Sequence, residues 1–348
     1  MKAKKIISTL GAAACLASTT YAATPANLLD AEDQALHQPV VNSAHIDVPA
    51  DSKLLEVKHT RPFVKQISNV VYSQVPSRGF ENVPLQMDIL QPVEDKPTPA
   101  IVYITGGGFI NANKDSYPQQ RMDMAEAGYL VASINYRVAP TARFPQPLED
   151  VKSAVRYLRA NAKKCNVDPN KIGVFGGSAG GYLAAFAGTT NGTTQFDKGE
   201  NLNVNSDVQA VVDTYGLSDL NTVGEDYSPA VQKAHQSAGA TEALWVNGSS
   251  VFGGIDGGVS ANPEGVKAAN PITYISKKTA PMLFMHGSAD QAVSPSQTEK
   301  VHQALQKEGI ESTRYVVKDA PHGGPVWVEP QIMDIVIDFF NQHLKNNK

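Results

Sequence analysis

Three widely separated positions combine residue types that could together carry acyl transfer. Gly176-Gly177-Ser178-Ala179-Gly180 directly follows the apolar run 172–175 and directly precedes a stretch of helical character. A serine hydroxyl is a weak nucleophile unless a sharp turn presents it to a base, and small flanking residues permit that turn. The base has to come from one of eight histidines. His322 lies in the loop Asp319-Ala320-Pro321-His322-Gly323-Gly324-Pro325, after the last strand candidate and before the terminal helix. That placement fits the chain order nucleophile, acid, histidine. His302 falls in a helical pattern and His343 near the C-terminus, so both are expected to face solvent, and His286 is expected to pack at a strand end. For the acid, Asp290 stands just beyond the apolar run 282–285, where a carboxylate can fix the imidazole tautomer. Asp219 is the alternative, and its surroundings, Tyr215-Gly216-Leu217-Ser218-Asp219-Leu220, suit a turn-shaping role better.

Acyl transfer also develops negative charge on a carbonyl oxygen, which backbone N–H groups of a glycine loop can reach without side-chain obstruction. Such a loop, Gly106-Gly107-Gly108, ends the run Ile101-Val102-Tyr103-Ile104-Thr105. Gly107, Gly108 and Ala179 are the expected donors. The competing reading, a phosphate-binding loop, would need a Gly-Lys-Ser/Thr or Gly-x-Gly-x-x-Gly continuation, and neither follows.

The elements that must hold these groups alternate in type. After Pro97-Thr98-Pro99, short continuous apolar runs at 101–104, 130–134, 172–175, 208–214, 282–285 and 314–317 are separated by helical stretches. This is the pattern of a mostly parallel sheet covered on both faces. Helices are expected around 151–158, 180–187, 298–307 and 330–345, and an antiparallel hairpin across 70–89. Residues 23–65 are polar and aperiodic and read as an N-terminal extension, with one hydrolase-sized domain over 66–348. The stretch 218–270, rich in Gly, Ser, Asn and Ala, has no strong apolar period and reads as an inserted lid. Its few large apolar residues, Leu244, Trp245, Val251 and Phe252, are candidates for lining a small acyl pocket.

At its start the chain looks different. Lys2, Lys4 and Lys5 precede an apolar stretch at 6–17 and a small-residue exit ending at Ala22, the plan of a secretory signal peptide over 1–22. The stretch is too short to span a bilayer, so no membrane anchor is expected and the protein should be periplasmic or secreted. Lipidation at Cys15 is the lesser alternative. Cleavage after Ala22 removes three lysines and shifts the formal charge from −4 to −7. A mildly acidic chain without a basic cluster argues against nucleic acid as a partner. Cys165 would be the one remaining cysteine, which excludes an internal disulfide, and no zinc-ligand spacing is present. No metal and no cofactor are expected.

Taken together, Asn135-Tyr136-Arg137-Val138-Ala139-Pro140, Phe144-Pro145, Asp150-Val151-Lys152, Gly176-Gly177-Ser178-Ala179-Gly180-Gly181 and His286-Gly287-x-Ala289-Asp290 resemble a known group. They are similar to the α/β-hydrolase esterases of the hormone-sensitive-lipase-like and bacterial feruloyl-esterase-like kind, from about Val83 to Leu344. The resemblance implies a triad of Ser178, Asp290 and His322, an oxyanion hole of Gly107, Gly108 and Ala179, and action on short acyl or acetyl esters of small alcohols or saccharides. The chain departs from that group at Thr105, where a His is usual, and at Gly177, where many relatives carry Asp or Glu. An amidase, arylformamidase or small peptidase would use the same residues, and a non-catalytic binding protein would keep only the fold.

Overall fold

The computed structural model describes residues 48–345 apart from Arg78. The segment 1–22, with its expected cleavage site and Cys15, lies outside the described residues. Contacts divide the chain into a unit ending at Glu56 and a unit from Val57 to Lys348. In the first, the described residues hold a turn closed by the Ser52 amide on the Pro49 carbonyl at 2.9 Å. The fold is that of the second unit.

Among the described residues, eight strands form one sheet in the order β1-β2-β4-β3-β5-β6-β7-β8. The strands are β1 (Val64–Ser77), β2 (Phe80–Pro92), β3 (Thr98–Ile104), β4 (Leu130–Ile134), β5 (Val167–Gly177), β6 (Ala210–Thr214), β7 (Met282–Gly287) and β8 (Ser312–Val317). β1 and β2 form the expected hairpin, β2 runs antiparallel to β4, and every other neighbouring pair is parallel. The continuous apolar runs follow from burial on both faces. Val102, Ile104, Val174, Val211 and Phe284 face one core layer. Their neighbours Ile101, Tyr103, Phe175, Val212 and Met285 face the other.

The first layer is closed by α2 (Gln146–Ala160), α3 (Ala179–Thr189) and α7 (Ser296–Lys307), and the second by α1 (Pro118–Glu126) and α8 (Pro330–Phe340). α1 has no counterpart in the sequence-based expectation. Its residues are mostly polar, and its buried face includes Gln120 and Arg121. Gln120 works as a polar spacer: its Oε1 accepts from the Tyr103 hydroxyl at 2.5 Å and its Nε2 donates to the Trp327 carbonyl at 2.6 Å.

The segment 218–270 is not an unstructured loop. It contains α4 (Pro229–His235), α5 (Thr241–Asn247) and α6 (Pro263–Ala268), with two short 3₁₀ helices, Ser250–Phe252 and Val259–Ala261, between the last two. Its large apolar residues do not line an acyl pocket. Trp245 is fully buried and stacks on Phe109 with ring centroids 4.2 Å apart, whereas Val251 and Phe252 are more than 80% exposed, at 83% and 82%. His302 and His343 also depart from expectation, since neither is simply solvated. The His302 Nδ1 lies 2.8 Å from Ser312 Oγ, and His343 lies 3.3 Å from Glu311 and packs against Phe339.

Candidate active site

The loops that leave the carboxyl ends of β3, β5, β7 and β8 converge, as they do at one edge of any sheet of parallel strands. Ser178 sits between β5 and α3 with φ 56° and ψ −125°. A Cβ on Gly176 would collide with the Gly180 carbonyl, and one on Gly180 would collide with the Ile104 carbonyl. Glycine at these two positions therefore lets the first turn of α3 press onto the backbone of β3 and β5 and lifts Ser178 out on the turn. The Ser178 amide is tied to the Thr214 carbonyl of β6 at 2.9 Å, which fixes the direction of the side chain.

Ser178 Oγ lies 2.8 Å from His322 Nε2, and His322 Nδ1 lies 2.7 Å from Asp290 Oδ2. The Asp290 side chain is wholly buried, while that of His322 is 24% exposed. The other carboxylate oxygen, Oδ1, accepts the amides of Ala292 at 2.8 Å and Val293 at 3.0 Å. Burial pushes the Asp290 carboxyl up, but the hydrogen bonds from His286 and His322, with the Val293 amide, outweigh it and hold the group well below the usual carboxylate range. The carboxylate is thus ionised and accepts on both oxygens, so His322 Nδ1 is the protonated nitrogen and Nε2 is free to accept from Ser178.

His286 is the residue whose part the sequence did not disclose. It ends β7 as expected, yet its Nε2 lies 3.1 Å from Asp290 Oδ2 and 3.0 Å from the Val293 carbonyl, and its Nδ1 lies 3.0 Å from Thr298 Oγ1. The four-residue spacing from His286 to Asp290 was the available signal. Tyr227 adds a second support, its hydroxyl donating to the Asp290 carbonyl at 3.0 Å. Asp219 is elsewhere: its carboxylate accepts the Asn221 amide at 3.0 Å and shapes its own turn.

Gly108, Ser178 and His322 line two cavities, one on each side of the serine. The larger, of about 440 Å³, is walled by Phe109, Leu217, Ala240 and Val293, with His235 and Glu242 from the 218–270 segment. The smaller, of about 280 Å³, is walled by Tyr103, Tyr117 and Tyr215 together with Gly106 and Gly107. Ala179 is the first residue of α3, so its amide has no acceptor within the helix and forms part of the positive end of the helix dipole. Gly108, at φ 58°, has open space where a Cβ would stand, which leaves its backbone accessible.

The two departures from the resembling group have local counterparts. Thr105 is buried with its hydroxyl unpartnered, and the strand end is tied instead by its carbonyl, which accepts from the Tyr136 hydroxyl at 2.8 Å. At Gly177 a Cβ would stand 2.8 Å from the Tyr215 hydroxyl, so Tyr215 fills the space that a larger residue would need. The Tyr215 ring meets His322 edge-on, with centroids 4.9 Å apart.

Backbone strain gathers at the same place. Among the described residues, the non-glycine residues with left-handed φ are Asn69, Asn166, Asn201 and Asp319, which tolerate it, and Phe109, Tyr117, Ser178 and Tyr215, which do not. All four of the latter line the two cavities. Each such conformation costs on the order of 1–3 kcal/mol and is typical of functional sites.

Comparison with known proteins agrees with this architecture. Residues 87–305 match the BD-FAE family. The chain is 30% identical to Esterase LipC of Mycobacterium tuberculosis over 230 residues, 66% of this chain and 53% of that protein. It spans about half the length of the curated relatives it matches. A solved truncated carbohydrate esterase from gut microbiota superposes with a TM-score of 0.69 at 30% identity, covering 81% of this chain and 97% of that one. Esterase 2 of Thermogutta terrifontis, solved with butyrate bound, shares the fold at a TM-score of 0.62 and 23% identity over 82% of this chain and 96% of that one. The sheet order, the serine turn between β5 and α3 and the match over 87–305 together make this chain a member of the BD-FAE family of α/β hydrolases.

Proposed function

We propose that this protein is a serine carboxylic ester hydrolase that acts on short acyl or acetyl esters of small or saccharide alcohols. The observation that carries the reading is the unbroken hydrogen-bond chain from Ser178 Oγ through His322 to the buried Asp290 carboxylate, 2.8 and 2.7 Å long. In the first step Ser178 Oγ attacks the ester carbonyl carbon while His322 Nε2 takes the hydroxyl proton. The carbonyl oxygen becomes an oxyanion and is met by the amides of Gly107, Gly108 and Ala179. The imidazolium, stabilised by Asp290, then gives its proton to the departing alkoxide, and the carbonyl re-forms as an acyl-serine. Water then attacks the acyl carbon as His322 takes its proton, and the imidazolium returns that proton to Ser178 Oγ as the acid leaves.

Support for small substrates comes from the two cavities, of about 440 and 280 Å³, which lie around the lower end of the range for ligand sites. Similarity to the carbohydrate esterase from gut microbiota supports a saccharide alcohol. Aryl esters from acetate to palmitate, assayed beside an aryl anilide on the purified protein, test the proposal. We expect kcat/KM to peak at acetate or butyrate and the anilide to be far slower. A maximum at eight carbons or longer, or an anilide cleaved as fast as the ester, would overturn the substrate assignment.

Export is part of the same proposal. It is supported by the lysines, apolar stretch and small-residue exit of residues 1–22. The processed chain should begin at Ala23 without a lipid, and an intact N-terminus or an acylated Cys15 in its mass spectrum would refute export by that route.

A further inference from the structure

The larger cavity beside Ser178 is mostly apolar, yet the 218–270 segment places a charged pair in its wall. Glu242 is only 5% exposed, and its Oε1 lies 2.7 Å from His235 Nδ1. The hydrogen bond to Glu242 raises the His235 pKa against the opposing effect of burial, and the carboxylate's charge raises it further. The second oxygen, Oε2, is met by Thr241 Oγ1 at 3.4 Å, a long contact for an oxygen donor. A carboxylate removed from water is costly unless its lone pairs are used. Glu242 Oε2 therefore retains accepting capacity, and Glu242 lines the larger cavity. Neither residue belongs to the proton path, which runs from Ser178 through His322 to Asp290.

We propose that the His235–Glu242 pair reads the chemistry of the substrate group entering the larger cavity, admitting one that ends in a hydroxyl or ammonium donor and rejecting one that ends in a carboxylate. The proposal rests on the ester-hydrolase reading above. A donor at the far end of that group completes the bonding of Oε2, whereas a plain alkyl end leaves it unmet. A carboxylate end has no proton to give to Oε2 and sets two acceptors against each other there. Discrimination arises mainly in binding, so it appears in KM more than in kcat.

The test uses two matched ester series on the full-length mature protein. In the acyl series the substrates are methyl butanoate, methyl 4-hydroxybutanoate and monomethyl succinate, and in the alcohol series butyl acetate, 4-hydroxybutyl acetate and 4-acetoxybutanoate. In whichever series occupies the larger cavity, kcat/KM should favour the hydroxylated ester over the carboxylate by roughly tenfold or more. Glu242→Gln should shrink that ratio at least about fivefold. The ratio between substrates is the readout, so a change in overall rate does not obscure it. His235→Gln serves as the second variant should Glu242→Gln fold poorly, and it should also shift the ratio. Equal rates for carboxylate and hydroxylated esters in both series of the wild type, or a ratio unmoved by both variants, would overturn this inference while leaving ester hydrolysis standing. No hydrolysis of any of the six esters would instead overturn both readings.

Discussion

Asp290→Asn keeps the shape of the acid and reverses one hydrogen-bonding atom, so its effect can be worked from the surrounding donors. Asp290 Oδ1 is held by two backbone amides, those of Ala292 and Val293, at 2.8 and 3.0 Å. Those donors cannot turn away, and they will select the amide oxygen of an asparagine at this place. Its NH₂ group must then occupy the Oδ2 position, 2.7 Å from His322 Nδ1. Nδ1 becomes an acceptor and the imidazole proton moves to Nε2, facing Ser178 Oγ. A protonated Nε2 cannot take the serine proton. The rotated alternative sets the NH₂ group against two N–H donors and is worse. Holding the wrong tautomer costs about 10⁴ in kcat, or roughly 5 kcal/mol of transition-state stabilisation. The assay is kcat on a short aryl ester for wild type and Asp290→Asn, with melting curves to show that both are folded. A folded variant retaining more than about a tenth of the wild-type kcat would refute the argument, because the amide pair would then not be dictating the tautomer.

Ser178→Ala and His322→Ala should each abolish turnover, with losses approaching a million-fold, and the double variant should be little worse than either single one. Additive losses in the double variant would contradict a single cooperating unit. Gly180→Ala places a Cβ against the Ile104 carbonyl and should cost about 1–3 kcal/mol, seen as a clear fall in Tm. An unchanged Tm would mean that α3 is free to shift outward. The raised His235 pKa gives the lid segment a pH signature. Because the folded pKa lies above the unfolded one, the pair's stabilisation is complete below about pH 6.5 and is lost as pH rises through the folded pKa. The Tm gap between wild type and Glu242→Gln should therefore be widest near pH 5.5 and narrow toward alkaline pH, and a gap independent of pH would dismiss the ion pair as a source of stability.

Much of the frame could be read from residue order because strands buried on both faces leave unbroken apolar runs, as at 130–134 and 282–285. The residues that meet at the serine could be picked out for a related reason: each stands where such a run stops and small or polar residues begin. α1 was not legible because its buried face is half polar, with Gln120 and Arg121 beside Met124 and Ala125, and burial of polar side chains leaves little apolar period to detect. The 218–270 segment hid its helices similarly, each being too short for periodicity to accumulate. Trp245 was misjudged because hydrophobicity says that a side chain will be covered without saying by what, and here Phe109 covers it rather than a substrate. A helical pattern and a place near the C-terminus point His302 and His343 toward solvent, while their actual partners, Ser312 and Glu311, are close only in space.

On the proposed mechanism, the strand order also sets when the serine becomes reactive. β3 and β5, which bring Gly108 and Ser178 together, are adjacent near the middle of the sheet, whereas the carboxylate and the imidazole arrive on the loops after β7 and β8 at one margin. A chain growing from its N-terminus makes the serine 144 residues before its base. Until the final strand docks, Ser178 is an ordinary hydroxyl with no acceptor to draw off its proton. A fragment that ends before β8 lacks His322, whose Nε2 stands 2.8 Å from the serine hydroxyl. On the proposed mechanism, the hydroxyl thus gains its acceptor only once the last strand and the loop after it are in place.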